Sequence, residues 1–452
     1  MECHECEGNS KMGSDELILS HPAEVLEESP LSATVEQHGP EKKPTGKPPL
    51  RRKILYLDHT SALGGGEIAL LRLVEALDKS RFMPVVLLAL EGPLVEKLRS
   101  AGIETHVDPL AQDTLKVHRS TLGISSLFRA NRVFEIMRYA WRLAGWARRE
   151  RIALIHTNSL KSDIYGGLAG RLAHIPVLWH IRDTINGSYM PAAAAAIFRG
   201  LTKTIPNAVV ANSQSTLDSL LFRPSAVITD PAKTAAARSR WAAVVHDGCV
   251  TSTVPAGQLS KLSTGKPPVL ALIGRIDPWK GQDVFLRAAS TVLRRHPDAQ
   301  FWIVGAALFG EVEYEAKLHS LVDELSLQSN VKFLGFQDDM AKLLNDIDVV
   351  VHASTLPEPF GQVIVEAMAA GKPVIASDGG GVREIIVDSK MGLLTPMGDD
   401  GKLAEAIELL LSDPKRAADM GRAGRRRVQD HFDISLTAQR FGRVYDLMLR
   451  SR

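Results

Sequence analysis

The chain has 452 residues, of which 45% are hydrophobic, 23% charged and 6% aromatic, the profile of a globular protein with room for two or three domains. That profile excludes disordered, collagen-like and disulfide-framework classes, and three cysteines in the whole chain point to a reducing compartment. No run approaches the ~18 consecutive apolar residues of a membrane span, and residues 1–30 lack the basic start and apolar core of a secretion signal, so a cytoplasmic location is expected.

The net charge of +2 is unevenly divided: residues 1–50 carry ten Asp and Glu against four Lys, a net of −6, and the remainder carries +8. With six prolines and no Phe, Trp or Tyr, residues 1–50 cannot bury enough apolar surface to offset chain entropy, and they are expected to form a disordered acidic, proline-rich tail. Cys3-His4-Glu5-Cys6 supplies half of a zinc site, but no second ligand pair follows at suitable spacing, so it reads as part of that solvated tail.

From Arg51 onward short β-branched runs alternate with helix-length segments, the pattern of α/β units around a parallel sheet. Strands are expected at 53–58, 84–90, 152–158, 176–181 and 208–213, then again at 268–274, 301–305, 331–335, 348–354, 373–378 and 392–396. Two Rossmann-like, doubly wound halves follow: a domain over 51–250, a Ser-, Thr-, Pro- and Gly-rich linker over 251–267, and a second domain from 268. In such sheets ligands gather beyond the carboxyl ends of the strands, where helix N-termini offer unpaired amides, so two facing sheets would enclose a cleft.

The chemistry-bearing motifs fall at those positions. Gly64-Gly65-Gly66-Glu67 follows the first strand and opens a helix over about 68–77, where bare backbone can approach an anion. Glu91 ends the next strand, as a ribose-binding acid would in a dinucleotide site, but the glycines lack the spaced Gly-x-Gly-x-x-Gly pattern. Gly274-Arg275 ends the first strand of the second half and Lys280-Gly281 starts the next helix; two cations at one corner can clamp a diphosphate. In the stretch 358–384, a helix beginning near Gly361 would aim the amides of Phe360, Gly361 and Gln362 at the cleft, flanked by Glu358 and Glu366. Carboxylates beside a phosphate-binding corner suit the vicinal hydroxyls of a sugar and a ribose, and Glu366, on an apolar stretch, calls for a ligand or a cation.

In this order and spacing the Gly64–Glu67 turn, Gly274-Arg275 with Lys280-Gly281, and Glu358 seven residues ahead of Glu366 resemble the retaining glycosyltransferases of family 4 over about residues 53–450. The resemblance implies the GT-B fold, with the domain at 268–432 binding a nucleotide sugar, the N-terminal domain binding the acceptor, and a terminal helix over 433–452 crossing back. It implies that Arg275 and Lys280 hold the donor diphosphate, that Glu366 accepts from the ribose, and that Glu358 faces the donor sugar. Phe360, Gly361 and Gln362 would supply backbone amides to sugar or phosphate, Gly65 and Gly66 would close over the diphosphate, and His180, after a strand of the first half, would lie near the sugar. The reaction implied is transfer with retention of anomeric configuration, by front-face attack assisted by the departing phosphate. The donor is a substrate, so no cofactor or metal is expected; cationic side chains and helix amides neutralise the leaving group.

One departure stands out: where the family commonly has an Asn-Gly-Val/Ile-Asp turn before the linker, this chain has His246-Asp247-Gly248-Cys249-Val250, which keeps the glycine but lacks the terminal acid. Asp346-Ile347-Asp348 imitates the Asp-x-Asp metal motif of another transferase fold, but reads as a helix-to-strand junction. Residues 119–151 hold eight arginines against two glutamates, and a helix over 131–149 would align Phe134, Met137, Trp141 and Ala144. That stripe would either be buried against the sheet or lie on an anionic membrane at the inner face of the cell membrane, where a lipid-linked acceptor is reached. A glycan or small-molecule acceptor is the other expectation, and no nucleic-acid partner is expected. A nucleotide-sugar epimerase, a sugar phosphorylase, a nicotinamide oxidoreductase or a non-catalytic sugar-nucleotide binder remain alternatives on the same architecture.

Overall fold

The alternation of apolar runs and amphipathic helices produces two separate parallel sheets in the computed structural model, which describes residues 51–109, 130–221, 227–228, 241–251, 262, 265–307 and 311–450. The first sheet contains β1 (Arg52–Asp58), β2 (Phe82–Leu88), β3 (Glu104–Val107), β4 (Leu154–Thr157), β5 (Val177–Ile181), β6 (Ala208–Ala211), β7 (Val227–Ile228) and β8 (Trp241–Val244), in the order β3-β2-β1-β4-β5-β6-β8-β7. The second contains β9 (Val269–Ile273), β10 (Gln300–Val304), β11 (Val331–Gly335), β12 (Val349–His352), β13 (Val374–Ser377) and β14 (Leu393–Thr395), in the order β11-β10-β9-β12-β13-β14. All strand pairs are parallel; Tyr56 sits opposite both Val86 and His156, and Ala271 opposite Trp302 and Val350. Strand order reverses at β1/β4 and at β9/β12, and the glycine turn and the Arg275–Lys280 corner follow β1 and β9 directly.

Apolar side chains cover both faces of both sheets, which is why their strands are continuous hydrophobic runs rather than alternating ones. Three strands escaped the sequence reading. β3 is a four-residue, partly exposed edge strand, β7 has two residues, and β8 (Trp-Ala-Ala-Val) follows an alanine-rich stretch that favours helix locally. The pleat of β8 is set instead by its pairing with β6. The expected tail at 1–50, its Cys3–Cys6 motif, residues 119–129 and most of the 251–267 linker lie outside the described residues.

The terminal helix, Ile434–Arg450, packs back on the first sheet: Ala438, Phe441, Val444, Tyr445 and Met448 join Ile54, Tyr56, Leu154 and Val210 in one core. It departs from the second domain at the Asp247–Val250 turn. There Cys249 N donates to Phe432 O at 3.0 Å, Ile434 N donates to Cys249 O at 2.9 Å, and the Thr251 hydroxyl bonds the Asp433 carboxylate. Gly248 is required there, because a Cβ would lie 2.7 Å from Ile434 Cα. Asp346-Ile347-Asp348 is the junction expected: Asp346 ends the helix Met340–Asn345, and Asp348 accepts from Val269 N at 2.9 Å. Among the described residues no helix is long and apolar enough to cross a membrane.

Because Phe441 is fully buried against the first sheet, Phe441→Ala should cost about 3–5 kcal/mol. Chemical denaturation followed by tryptophan fluorescence should show a correspondingly lower midpoint, with the transition of the first domain affected most.

Candidate active site

The Arg275–Lys280 corner is built by close backbone packing. Asp277 caps the short turn Pro278–Lys280 and accepts from Arg275 Nη2 at 2.6 Å. Gly281 then takes a left-handed φ of +71°, and a Cβ there would lie 2.0 Å from Ala353 O, so only glycine lets this corner seat on the end of β12. Seating brings Lys280 Nζ to 2.6 Å from Glu358 Oε2 and 4.0 Å from the Trp279 ring centroid. His352 Nε2, at the end of β12, approaches the same carboxylate oxygen at 2.9 Å, and Ser354 Oγ donates to it at 3.1 Å. Burial alone would raise the Glu358 carboxyl, but the Lys280 charge and the His352 bond outweigh it and hold the group well below the usual carboxylate range.

Glu358 is also fixed from behind, since Gly381 N donates to its carbonyl at 2.8 Å. Gly361 precedes the helix Gln362–Ala369 with φ +110°, and no side chain caps that helix, while Phe360 is buried. Gln362 reaches the other domain: its amide donates to Gly65 O at 3.0 Å and accepts from Arg72 Nη1 at 2.8 Å. Arg72 also pairs with Glu366 at 2.7 Å, which makes it the cation that a buried Glu366 calls for. Gly65 is exposed, and a Cβ there would meet nothing within 4 Å, so the protein's own packing does not demand its bareness. Of the motif residues, Lys280 and Glu358 therefore meet at the end of β12 with Arg275 at the same corner, while Gln362 and Glu366, on the helix that follows Phe360 and Gly361, reach Gly65 and Arg72 of the first domain.

His180 is placed differently from the rest. Expected after a strand, it lies inside β5, one residue before its end, and is fully buried, with Nδ1 3.1 Å from His156 Nε2 and 3.3 Å from Arg182 Nη2. Arg182, two residues on, sits under the glycine turn: a Cβ on Gly66 would lie 3.6 Å from its Cδ. Its guanidinium pairs with the buried Asp247 and donates to Asn158 Oδ1 at 3.1 Å, and Asn158 in turn donates to Asp58 Oδ2 at 2.6 Å. A second contact joins the domains at Glu384, which accepts from Gln214 N at 2.9 Å, Ser215 N at 3.1 Å and bonds His246 Nε2 at 2.8 Å. These bonds outweigh burial and lower its carboxyl.

Arg72, Arg182, His352 and Glu384 were not singled out in the sequence, and Asp247 was noted only as part of the departing turn. His352 carried a signal, as a polar residue closing an apolar strand, and so did Arg182, directly after β5. Arg72 and Glu384 are ordinary helix charges until the tertiary fold brings their partners to them.

Glu67, in the first turn after the glycines, is a carboxyl pushed up to about 8 by burial and by the neighbouring Asp58 charge. The folded state therefore binds a proton that the unfolded chain has released, and the stability this contributes is present in full below about 4.5 and is lost as pH rises through about 8. Glu67→Gln should remove that pH dependence: between these limits wild type should lose stability relative to the variant, by at most about 1.4 kcal/mol per pH unit. Thermal melts of the two proteins across pH 4–9 check it.

Comparison with known proteins places this geometry. The pattern described as "Glycosyl transferase 4-like domain" matches residues 64–293, and that described as "Glycosyl transferases group 1" matches residues 259–427. Among curated proteins the chain is similar to a GDP-mannose-dependent monoacylated alpha-(1-6)-phosphatidylinositol monomannoside mannosyltransferase of Corynebacterium glutamicum, 35% identical over 189 residues, which are 40% of this chain and 48% of that protein. It is also similar to D-inositol 3-phosphate glycosyltransferase 2 of Catenulispora acidiphila, 36% identical over 35% of this chain and 39% of that protein. The matched segment spans about half or less of the length of these relatives. Among solved structures, Anabaena HepE in complex with UDP and glucose superposes with a TM-score of 0.71 at 26% identity, covering 88% of this chain and 100% of that one. Sucrose-phosphate synthase from Thermosynechococcus elongatus shares the fold, with a TM-score of 0.69 at 21% identity over 89% of this chain and 100% of that one. With one pattern covering more than half of the chain and the other completing the second domain, the protein belongs to the family 4, group 1 glycosyltransferases of GT-B architecture.

Proposed function

We propose that the protein transfers a sugar from a nucleoside-diphosphate donor to an acceptor with retention of anomeric configuration. The observation that carries this reading is the half-buried Lys280–Glu358 pair, set beside Arg275 and an uncapped helix start at the adjacent carboxyl ends of β9 and β12. A glycosidic bond breaks as charge develops on the departing diphosphate, and preformed donors lower that barrier because they need no reorganisation. Glu358 keeps Lys280 oriented before substrate arrives, Arg275 lies at the same corner, and the amides at Gly361 and Gln362 complete the anion site. Glu366 receives the ribose hydroxyls, and Gly65 and Gly66 cover the diphosphate from the other domain. The donor binds as substrate, and transfer proceeds without a divalent metal, the cations and helix amides serving in its place. HepE, with UDP and glucose bound, supports a nucleotide sugar as donor.

The acceptor in this reading is a glycan or a lipid-linked molecule, reached from the cytoplasmic side at an anionic membrane surface. The helix Ala130–Arg149 supports it. Tyr139, Ala140, Leu143, Ala144 and Ala147 turn inward, whereas Phe134 is 68% exposed, Trp141 71% and Met137 41%, with Arg138 and Arg142 beside them. Only Ala144 of the expected stripe is buried; the large side chains are left to solvent, which an interfacial helix would place among lipid headgroups. The matched mannosyltransferase is named for a phosphatidylinositol monomannoside.

Incubation with a panel of nucleotide sugars, read as released diphosphate and as product anomer, tests the function. At least one donor should give a retained product in excess EDTA, and Lys280→Ala or Arg275→Ala should lower kcat about 10²–10³-fold. An inverted product, an isomerised donor, or full activity in both variants would overturn the reading. For the membrane contact, co-sedimentation with anionic vesicles should be strong at low salt, weaken as salt rises, and fall several-fold in Phe134→Ser/Trp141→Ser. Absence of binding at low salt would leave a soluble acceptor.

A further inference from the structure

Two of the walls assigned to the donor bond each other directly. Gly65 and Arg72 lie seven residues apart, on one face of the helix Gly65–Ala76, and Gln362 and Glu366 lie one turn apart on one face of the helix Gln362–Ala369. The two faces meet through three bonds. Arg72 Nη1 donates to Glu366 Oε1 at 2.7 Å and to the Gln362 amide oxygen at 2.8 Å, and the Gln362 amide nitrogen donates to Gly65 O at 3.0 Å. Both charged side chains are largely withdrawn from water, Arg72 being 19% exposed and Glu366 13%. A second pair crosses between the domains at 3.1 Å, from Lys97 on the helix Pro93–Ser100 to Asp338 after β11, but both of its ends are exposed. These bonds take up what a donor needs. A vicinal diol is held by both oxygens of a carboxylate, and Oε1 of Glu366 is committed to Arg72. A phosphate needs room between the glycine turn and the start of the helix Gln362–Ala369, and the Gln362–Gly65 bond draws those two walls into contact.

We propose that Arg72 is a latch that holds the donor site shut on itself: its pairing with Glu366 keeps the two domains together, and a nucleotide enters only those molecules in which the pair has parted. The proposal rests on the functional reading above, in which Glu366 receives the ribose. Its consequence has a definite sign. A ligand that competes with an internal contact binds with its intrinsic dissociation constant divided by the open fraction, so loosening the latch tightens nucleotide binding. Arg72→Leu loosens it in two ways. The attraction is lost, and Glu366 is left without its cation wherever the cleft is shut, whereas an open cleft lets water solvate the carboxylate. The exposed Lys97–Asp338 pair contributes little by itself and serves as a secondary strap.

Small-angle scattering and calorimetry on the full chain test the latch. For the protein alone, Arg72→Leu should show a larger radius of gyration than wild type, and Lys97→Ala one close to wild type. With UDP and GDP as probes, Arg72→Leu should bind whichever nucleotide wild type binds at least about fivefold more tightly. Lys97→Ala should change that affinity by less than about twofold. Glu366→Ala, which breaks the same pair from the other side, should open the cleft as Arg72→Leu does but bind nucleotide more weakly, because the ribose loses its carboxylate. An unchanged radius of gyration in Arg72→Leu would overturn the proposal. So would weaker nucleotide binding by that variant, which would make Arg72 a ligand of the donor instead of its competitor. The scattering arm needs no nucleotide, so an absence of binding by either probe would count against the functional reading, while the latch stands or falls on the opening of the cleft.

Discussion

A carboxylate largely withdrawn from water needs a cation, and the Lys280–Glu358 pair meets that requirement at the point where the second sheet reverses its strand order. Much else follows from it. Lys280 can reach Glu358 only because Gly281 lies against β12, and Glu358 is held only because the chain after β13 turns back at Gly380 and Gly381 to bind its carbonyl. His352 and Ser354, at the end of β12, complete the carboxylate's bonds. The corner is thus a charged site already satisfied by its own side chains, and an incoming anion meets a lysine whose place is fixed.

The first domain meets the second through polar pairs as well as through ring contacts such as Tyr189 on Trp279 and His246 on Phe360. Arg72 with Glu366, Gln362 with Gly65, and Glu384 with the amides of Gln214 and Ser215 are polar contacts that can part and re-form at modest cost, whereas the cores of the two sheets cannot. That division suits a cleft which must admit and release a substrate between two stiff bodies. Arg182 has the same character within the first domain, joining His180, Asn158 and Asp247 beneath the glycine turn.

Much of this was legible in the sequence, because parallel strands buried on both faces are written as apolar runs and their functional residues follow those runs directly. The two sheets and the crossing helix were expected, as was the placing of Arg275, Lys280 and Glu358 directly after strands. What escaped has physical causes. β3 and β8 owe their form to neighbours rather than to their own residues, and Arg72 acquires meaning only when Glu366 is brought 2.7 Å from it. The helix over 130–149 shows the limit of periodicity: the spacing of Phe134, Met137 and Trp141 defines a face, but only the packed domain decides that the alanine-rich face turns inward.

The terminal helix also sets an order of assembly. Ile54, Tyr56, Leu154 and Val210 share a core with Phe441 and Tyr445, so that face of the first sheet, covered in part by Leu70, Leu73 and Leu94 of earlier helices, is not closed until residues near 448 have left the ribosome. The second domain, whose sheet lies between Val269 and Thr395 and whose core takes in residues from Cys249 to Phe432, can by then have formed. Synthesis at ~5–20 residues per second leaves this apolar face open for tens of seconds, a window in which chaperones or early contacts with the rest of the chain must protect it. The N-terminal domain, made first, is therefore the last to be finished.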